Sequence, residues 1–142
     1  MDKKSFYTLC CILTELTGIE DVGYHKILSD RLKPIIKSNT GEITEADWIQ
    51  HHTDNPALIA NNPLLVELLR TKKKVYIKDT SLSSSADLDS FTICSVYVFP
   101  IVINNEVIGV IPIVSIGTVN SLKDETILEC ELAINNYKYI FE

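Results

Sequence analysis

The stretch 94–116, CSVYVFPIVINNEVIGVIPIVSI, restricts the fold more than any other part of the chain. Two apolar runs flank Asn104 and Asn105, and Asn is among the few residues that accept positive φ. A two-residue hairpin turn demands that at both central positions. A hairpin turning there places Ile103 opposite Glu106, Ile101 opposite Ile108 and Phe99 opposite Val110. Alternation then puts Tyr97, Phe99, Ile101, Ile108, Val110 and Val114 on one face. Cys94, Val96, Val98, Val102, Val107, Ile111 and Ile113 fall on the other. Both faces are apolar, so neither can look at water, and the pattern predicts a central hairpin in a sheet covered on both sides.

The remaining chain supplies the covers. Lys3 to Thr17 reads as a helix, with Phe6, Leu9, Cys10, Leu13 and Leu16 at three- and four-residue spacing and Gly18 as its terminator. Tyr7, Cys11 and Ile12 widen that stripe beyond one face, which suggests a second contact surface. Residues 24–28 and 32–37 read as two short strands, polar at their edges. Thr44 and Asp47 open a helix over 43–52 that Asn55-Pro56 stops. Asn62-Pro63 opens another, buried along Leu64, Leu65, Leu68 and Leu69. Residues 74–78 alternate as a strand and end at Asp79. The segment 80–90 is of low complexity and cannot supply a core, so it reads as a surface loop or as a lid beside a pocket. Ser121 with Asp124 starts the last helix, whose stripe runs through Ile127, Cys130, Ala133 or Ile134, Tyr137 and Ile140 or Phe141. The order is α-β-β-α-α-β-(loop)-β-β-α, an α+β fold with the first and last helices on one face and the middle segment on the other.

Composition removes several function classes. A chain of 142 residues is the size of one domain, here 1–142. The net charge of −6 opposes a general nucleic-acid or anionic-membrane surface, since such binding neutralises phosphates with Lys and Arg. The basic run 70–74 follows a helical pattern, where cations complement the helix C-terminus. No apolar stretch is long enough to span a membrane. The N-terminus has a basic-then-apolar start, but Thr14 and Glu15 interrupt it and no small-residue cleavage site follows, so a cytoplasmic helix is expected. Cys10, Cys11, Cys94 and Cys130 show neither CxxC nor zinc-ligand spacing and read as reduced, packed thiols.

The segment VYIKD, the hairpin VYVFPIVINNEVIGVIPI and the closing SLKDETILECELAINNYKYI resemble the GAF domain, a small-molecule-sensing module related in fold to PAS. The resemblance is clearest over 74–140 and extends to the order of elements before it. It implies an antiparallel sheet of five to six strands between helices, with the terminal helices packed together on one face. Pro112 departs from the family pattern: inside a central strand it removes a ladder donor, so either a bulge there or a register other than the one above is expected. The resemblance implies a ligand lying on the sheet, with Asp79, Phe91, Ser95 and Tyr97 at matching positions and the helix bearing Trp48, His51 and His52 as the other wall. It also implies a homodimer through the terminal helices and a protein partner to carry the signal.

The residues taken alone read more plainly. His51 and His52 point about 100° apart on a helix, a surface pair sooner than one metal's ligands, one axial haem ligand being the alternative. His25 is solvent-facing or packed, Trp48 a core anchor or a stacking wall, and Asp79 a turn former or a ligand contact. No catalytic motif is visible and no cofactor is specified. The expected function is a cytoplasmic sensory or regulatory module binding a small molecule. The alternatives are a ligand-free dimeric adaptor and, at a greater distance, a free methionine sulfoxide reductase using Cys94. That chemistry needs an accessible low-pKa thiolate with a resolving partner.

Overall fold

The computed structural model describes residues 1–82 and 92–142. Helix α1 (Lys3–Thr17) leads into strands β1 (Asp21–Leu28) and β2 (Arg31–Lys37). Helices α2 (Glu45–Asp54) and α3 (Pro63–Thr71) follow, then β3 (Val75–Ile77), β4 (Ile93–Ile103), β5 (Glu106–Ile116) and α4 (Asp124–Asn136). The five strands form one antiparallel sheet in the order β2-β1-β5-β4-β3, so the β4–β5 hairpin is central as expected.

Local chemistry accounts for most element ends. Asp2 caps α1 by accepting from the Lys4 amide, and Gly18 closes it at φ +75°, a left-handed turn that suits glycine. Thr44 accepts from the Asp47 amide at the start of α2. Asn62 accepts from the amides of Leu64 and Leu65 ahead of Pro63. The expected start of α4 at Ser121 is corrected. Its N-cap is Lys123, which makes no side-chain cap bond, because Leu122 is held back by Tyr97 through its amide. The last residues turn into a 3-10 helix, Lys138–Phe141, rather than extending α4.

The hairpin turn sits at Asn104 (φ +52°) and Asn105 (φ +63°), as the sequence requires. Its register, however, holds as expected only next to the turn, where Ile103 pairs with Glu106 and Val102 with Val107. The next pair is Ile101 with Gly109, so Ile108 is the extra residue of a bulge. A one-residue slip sends every later side chain of β5 to the opposite face. Ile111 and Ile113 therefore join Tyr97, Phe99 and Ile101, while Val110 and Val114 join Val96 and Val98. Pro112 itself stays in register opposite Val98, and the second β4–β5 irregularity falls at Cys94. The missing donor shows on the other side. The β1–β5 ladder runs through Val22–Ile113, then resumes at His25–Val110, leaving a gap beside Pro112.

Two cores result. The first packs α1 (Phe6, Leu9, Cys10, Leu13) and α4 (Ile127, Cys130, Ile134) with Ile140 and Phe141 against one sheet face. The second sets Leu65 and Leu68 of α3, Ile59 and Leu32 against Val96, Val98 and Val110 on the other. The terminal helices thus share one face, and the middle segment covers its opposite. Among the described residues no helix is long and apolar enough to cross a membrane.

Tyr97 fixes the route from the sheet into α4. Its ring is fully buried, and its hydroxyl donates to the Asn120 carbonyl (2.6 Å) and accepts from the Leu122 amide (2.9 Å). Removing it leaves two main-chain groups unpaired in the interior. Tyr97→Phe is expected to cost about 1–3 kcal/mol in urea denaturation, with the fold retained.

Candidate functional site

A cavity of about 460 Å³ lies between the second sheet face and the α2–α3 segment. Its floor is apolar, made of Val96 and Val98 from β4 and Val110, Pro112 and Val114 from β5. Trp48, His51 and His52 of α2 form one wall, and Leu64 and Leu65 of α3 the other. The 55–58 linker crosses between them.

Trp48 is anchored deeply enough to be part of the core as well as a wall. Its indole lies on the main chain of Gly23 in β1, where an added Cβ would stand 2.5 Å from Cζ2. A side chain at that position would displace the ring, which is why the strand carries glycine there. The indole meets the His25 ring at a centroid distance of 4.8 Å and the His52 ring at 5.3 Å, and the two imidazoles meet edge to face at 4.9 Å. Burial, with some help from nearby His52, pushes the His25 pKa down to about 3. Burial, then the charge of His51, pushes His52 down to about 4. Both rings are therefore neutral at physiological pH, and His25 Nδ1 is buried with no hydrogen-bond partner among the described residues. Among the described residues no three His, Cys, Asp or Glu side chains are grouped as a metal-ligand set.

The polar end of the cavity is a buried ion pair. Lys37 Nζ stands 2.8 Å from Asp21 Oδ1, with the two side chains 2% and 5% exposed. The ammonium also donates to the Thr40 carbonyl (3.0 Å) and to Ser38 Oγ (3.3 Å). The Asp21 carboxylate accepts from the amides of Glu42 (3.0 Å) and Ile43 (3.4 Å). Gly41, at φ +104°, brings this turn so close that a Cβ there would collide with the carboxylate. Glu45 at the start of α2 accepts from the Lys37 amide (3.0 Å), tying the cavity wall to the edge strand.

No family model matches the chain, and no curated protein sequence does. Solved structures do. The GAF domain/HD domain protein from Geobacter sulfurreducens superposes with a TM-score of 0.77 at 16% identity, over 96% of this chain and 89% of that one. The GAF-B domain of DevS from Mycobacterium smegmatis gives 0.70 at 12% identity, over 96% and 90%. The fold is that of a GAF domain. The type II free methionine-R-sulfoxide reductase from Thermoplasma acidophilum also shares it, with a TM-score of 0.69 at 17% identity over 97% and 92%, so a GAF fold carries enzymes as well.

The structure divides the residues that the sequence grouped as a GAF ligand site. Trp48 and His52 line the cavity. Ser95 and Tyr97 do not: Tyr97 packs into the α1–α4 core, and Ser95 donates to the Lys78 carbonyl (2.7 Å) and accepts from the Asn120 amide (2.8 Å). Asp79 is also away from the lining and accepts from the Ser81 amide and hydroxyl, the turn-forming role. Phe91 and the rest of 83–91 lie outside the described residues. His25, Asp21, Lys37 and Gly23 are lining residues that sequence reasoning missed. The one local signal was Gly23, since an isolated glycine in a strand marks close approach by another group.

None of the four cysteines lines the cavity. Burial raises the Cys10 thiol to about 12 and Cys130 to about 11, the opposite of an activated thiolate. Cys94 is half-buried at the bulge, with its thiol against the Thr92 carbonyl (3.6 Å).

Proposed function

We propose that the chain is a regulatory GAF module that binds a small molecule between its sheet and the α2–α3 wall. The observation that carries this is the cavity itself. Its 460 Å³ lies in the range of small-molecule sites, with an apolar floor, an aromatic wall and few polar groups. Strand β1 and helix α2 meet at Trp48, so an occupant that moves the indole also shifts α2. The outer face of α4 exposes Leu128 and Leu132, the 3-10 turn after it exposes Tyr139, and Cys11 is exposed on α1. This face supports homodimerisation, or a protein partner, as the output. It also favours the second reading, a ligand-free dimeric adaptor. Four free cysteines suit a reducing, cytoplasmic setting. The placement of the cysteines outside the cavity weighs against the reductase reading.

A thermal-shift and native mass-spectrometry screen of an open metabolite library tests the proposal. A ligand specific for the native state adds about 2.7 kcal/mol at a hundredfold excess over Kd. For a domain of this size that raises Tm by roughly 5–10 °C. The same ligand should leave Val98→Phe, which fills the cavity floor, unmoved. Hits that shift both proteins equally would remove the cavity from the account and leave the adaptor.

A further inference from the structure

The chemistry of the lining restricts what can occupy the cavity, and this inference rests on the sensor reading above. Among the described residues the lining contains one ammonium, Lys37, and one carboxylate, Asp21. They face each other at 2.8 Å, and each is further satisfied by main-chain groups of the 38–43 turn. Neither is left to receive an opposite charge from a ligand. The imidazoles of His25 and His52 pack against Trp48 and each other, and their burial keeps them neutral. His51, half-buried, also lines the cavity and meets the His52 ring edge to face at 5.3 Å. The remaining polar lining is amide: Asn62 is engaged in capping α3 and Asn55 donates to the His51 carbonyl.

We infer that the ligand is an uncharged aromatic or heteroaromatic ring compound, lying over the valine floor against Trp48 with a polar substituent toward the imidazole pair. An anionic ligand, such as a nucleotide or a carboxylic acid, would lose its hydration and find no unpaired ammonium or guanidinium among the described lining residues. An amino-acid zwitterion would fare worse, with two charges to satisfy. A flat ring, by contrast, meets apolar carbons below and an indole beside it, the surroundings in which aromatic contacts are most favourable.

A matched bicyclic series tests this: 2-naphthol, 2-naphthoate and 2-naphthylmethylammonium, titrated against the full chain and followed by Trp48 fluorescence and calorimetry. The expected result is saturable 2-naphthol binding, at least about a hundredfold tighter than either charged analogue. It should be lost in Val98→Phe, with Val96→Leu as a milder filling variant should the first fail to fold. Naphthoate or the ammonium binding as tightly as naphthol would overturn the inference, as would no binding by any of the three. These failures are distinct from failure of the sensor reading, which is decided by whether open-library hits distinguish wild type from the filled cavity.

Discussion

Replacing Lys37 by methionine is expected to destabilise the protein by about 3–5 kcal/mol, among the largest effects available to a single substitution here. The methionine fits the space but leaves the Asp21 carboxylate 5% exposed and without its counter-charge. The amides of Glu42 and Ile43 still donate to it, so the loss falls short of an isolated buried ion. Desolvation of both ions is already a cost in the native protein. Removing both charges should therefore be far milder than removing one. Asp21→Asn with Lys37→Met is expected to recover most of the lost stability, giving a coupling energy of about 3 kcal/mol or more in a double-mutant cycle. Urea denaturation at pH 7 measures all four corners. Additive losses would mean that the two side chains do not act as a pair. Because the Lys37 ammonium also donates to the Thr40 carbonyl and to Ser38 Oγ, the single variant should loosen the 38–43 turn before it unfolds the sheet.

Acidification is expected to weaken the protein well above the pH at which its ordinary carboxylates titrate. His25 in the unfolded chain binds a proton near pH 6.5, whereas in the folded protein it does so only near 3. Between those values the unfolded state holds more protons, so stability falls as pH falls. The full contribution is present above about 6.5 and is lost by about 3. The total is on the order of 4 kcal/mol for His25 alone. His52, depressed to about 4, acts in the same direction over a narrower window. From pH 6 to pH 5, where unperturbed carboxylates contribute little, each buried imidazole should remove about 1 kcal/mol. His25→Leu is expected to take away roughly half of that slope, whatever it does to stability at pH 7. A variant with an unchanged slope would mean that His25 is protonated in the folded state.

The parts of the fold that were legible in the sequence are those decided within a few residues. Asn104-Asn105, Asn62-Pro63, Thr44 and Gly18 each specify a turn or cap through their own backbone preferences, and each sits where its chemistry placed it. The apolar stripes of α1 and α4 likewise needed only helical period. The β4–β5 register was not legible, because a bulge at Ile108 costs little locally and reverses every facing beyond it. The strand DVGYHKIL read as short and polar because its charges are neutralised elsewhere. Asp21 finds Lys37 sixteen residues away on the next strand, and His25 is dried by a helix that arrives later in the chain. For the site, the resemblance pointed to the helix bearing Trp48, His51 and His52 as a wall, and these residues line the cavity. Ser95 and Tyr97 looked equivalent to them on the sheet, yet the hydrogen bonds to Lys78, Asn120 and Leu122 that occupy them connect distant segments.

Trp48 is the sole tryptophan, so its indole N–H gives one resolved signal inside the cavity wall. Following that resonance by NMR while titrating a library hit tests the central claim most directly. The account predicts a saturable shift of the indole signal in the wild-type protein, with the affinity found by calorimetry, and no shift in Val98→Phe. Binding that saturates while the Trp48 signal stays fixed, or that persists in the filled variant, would contradict a ligand site between the sheet and α2.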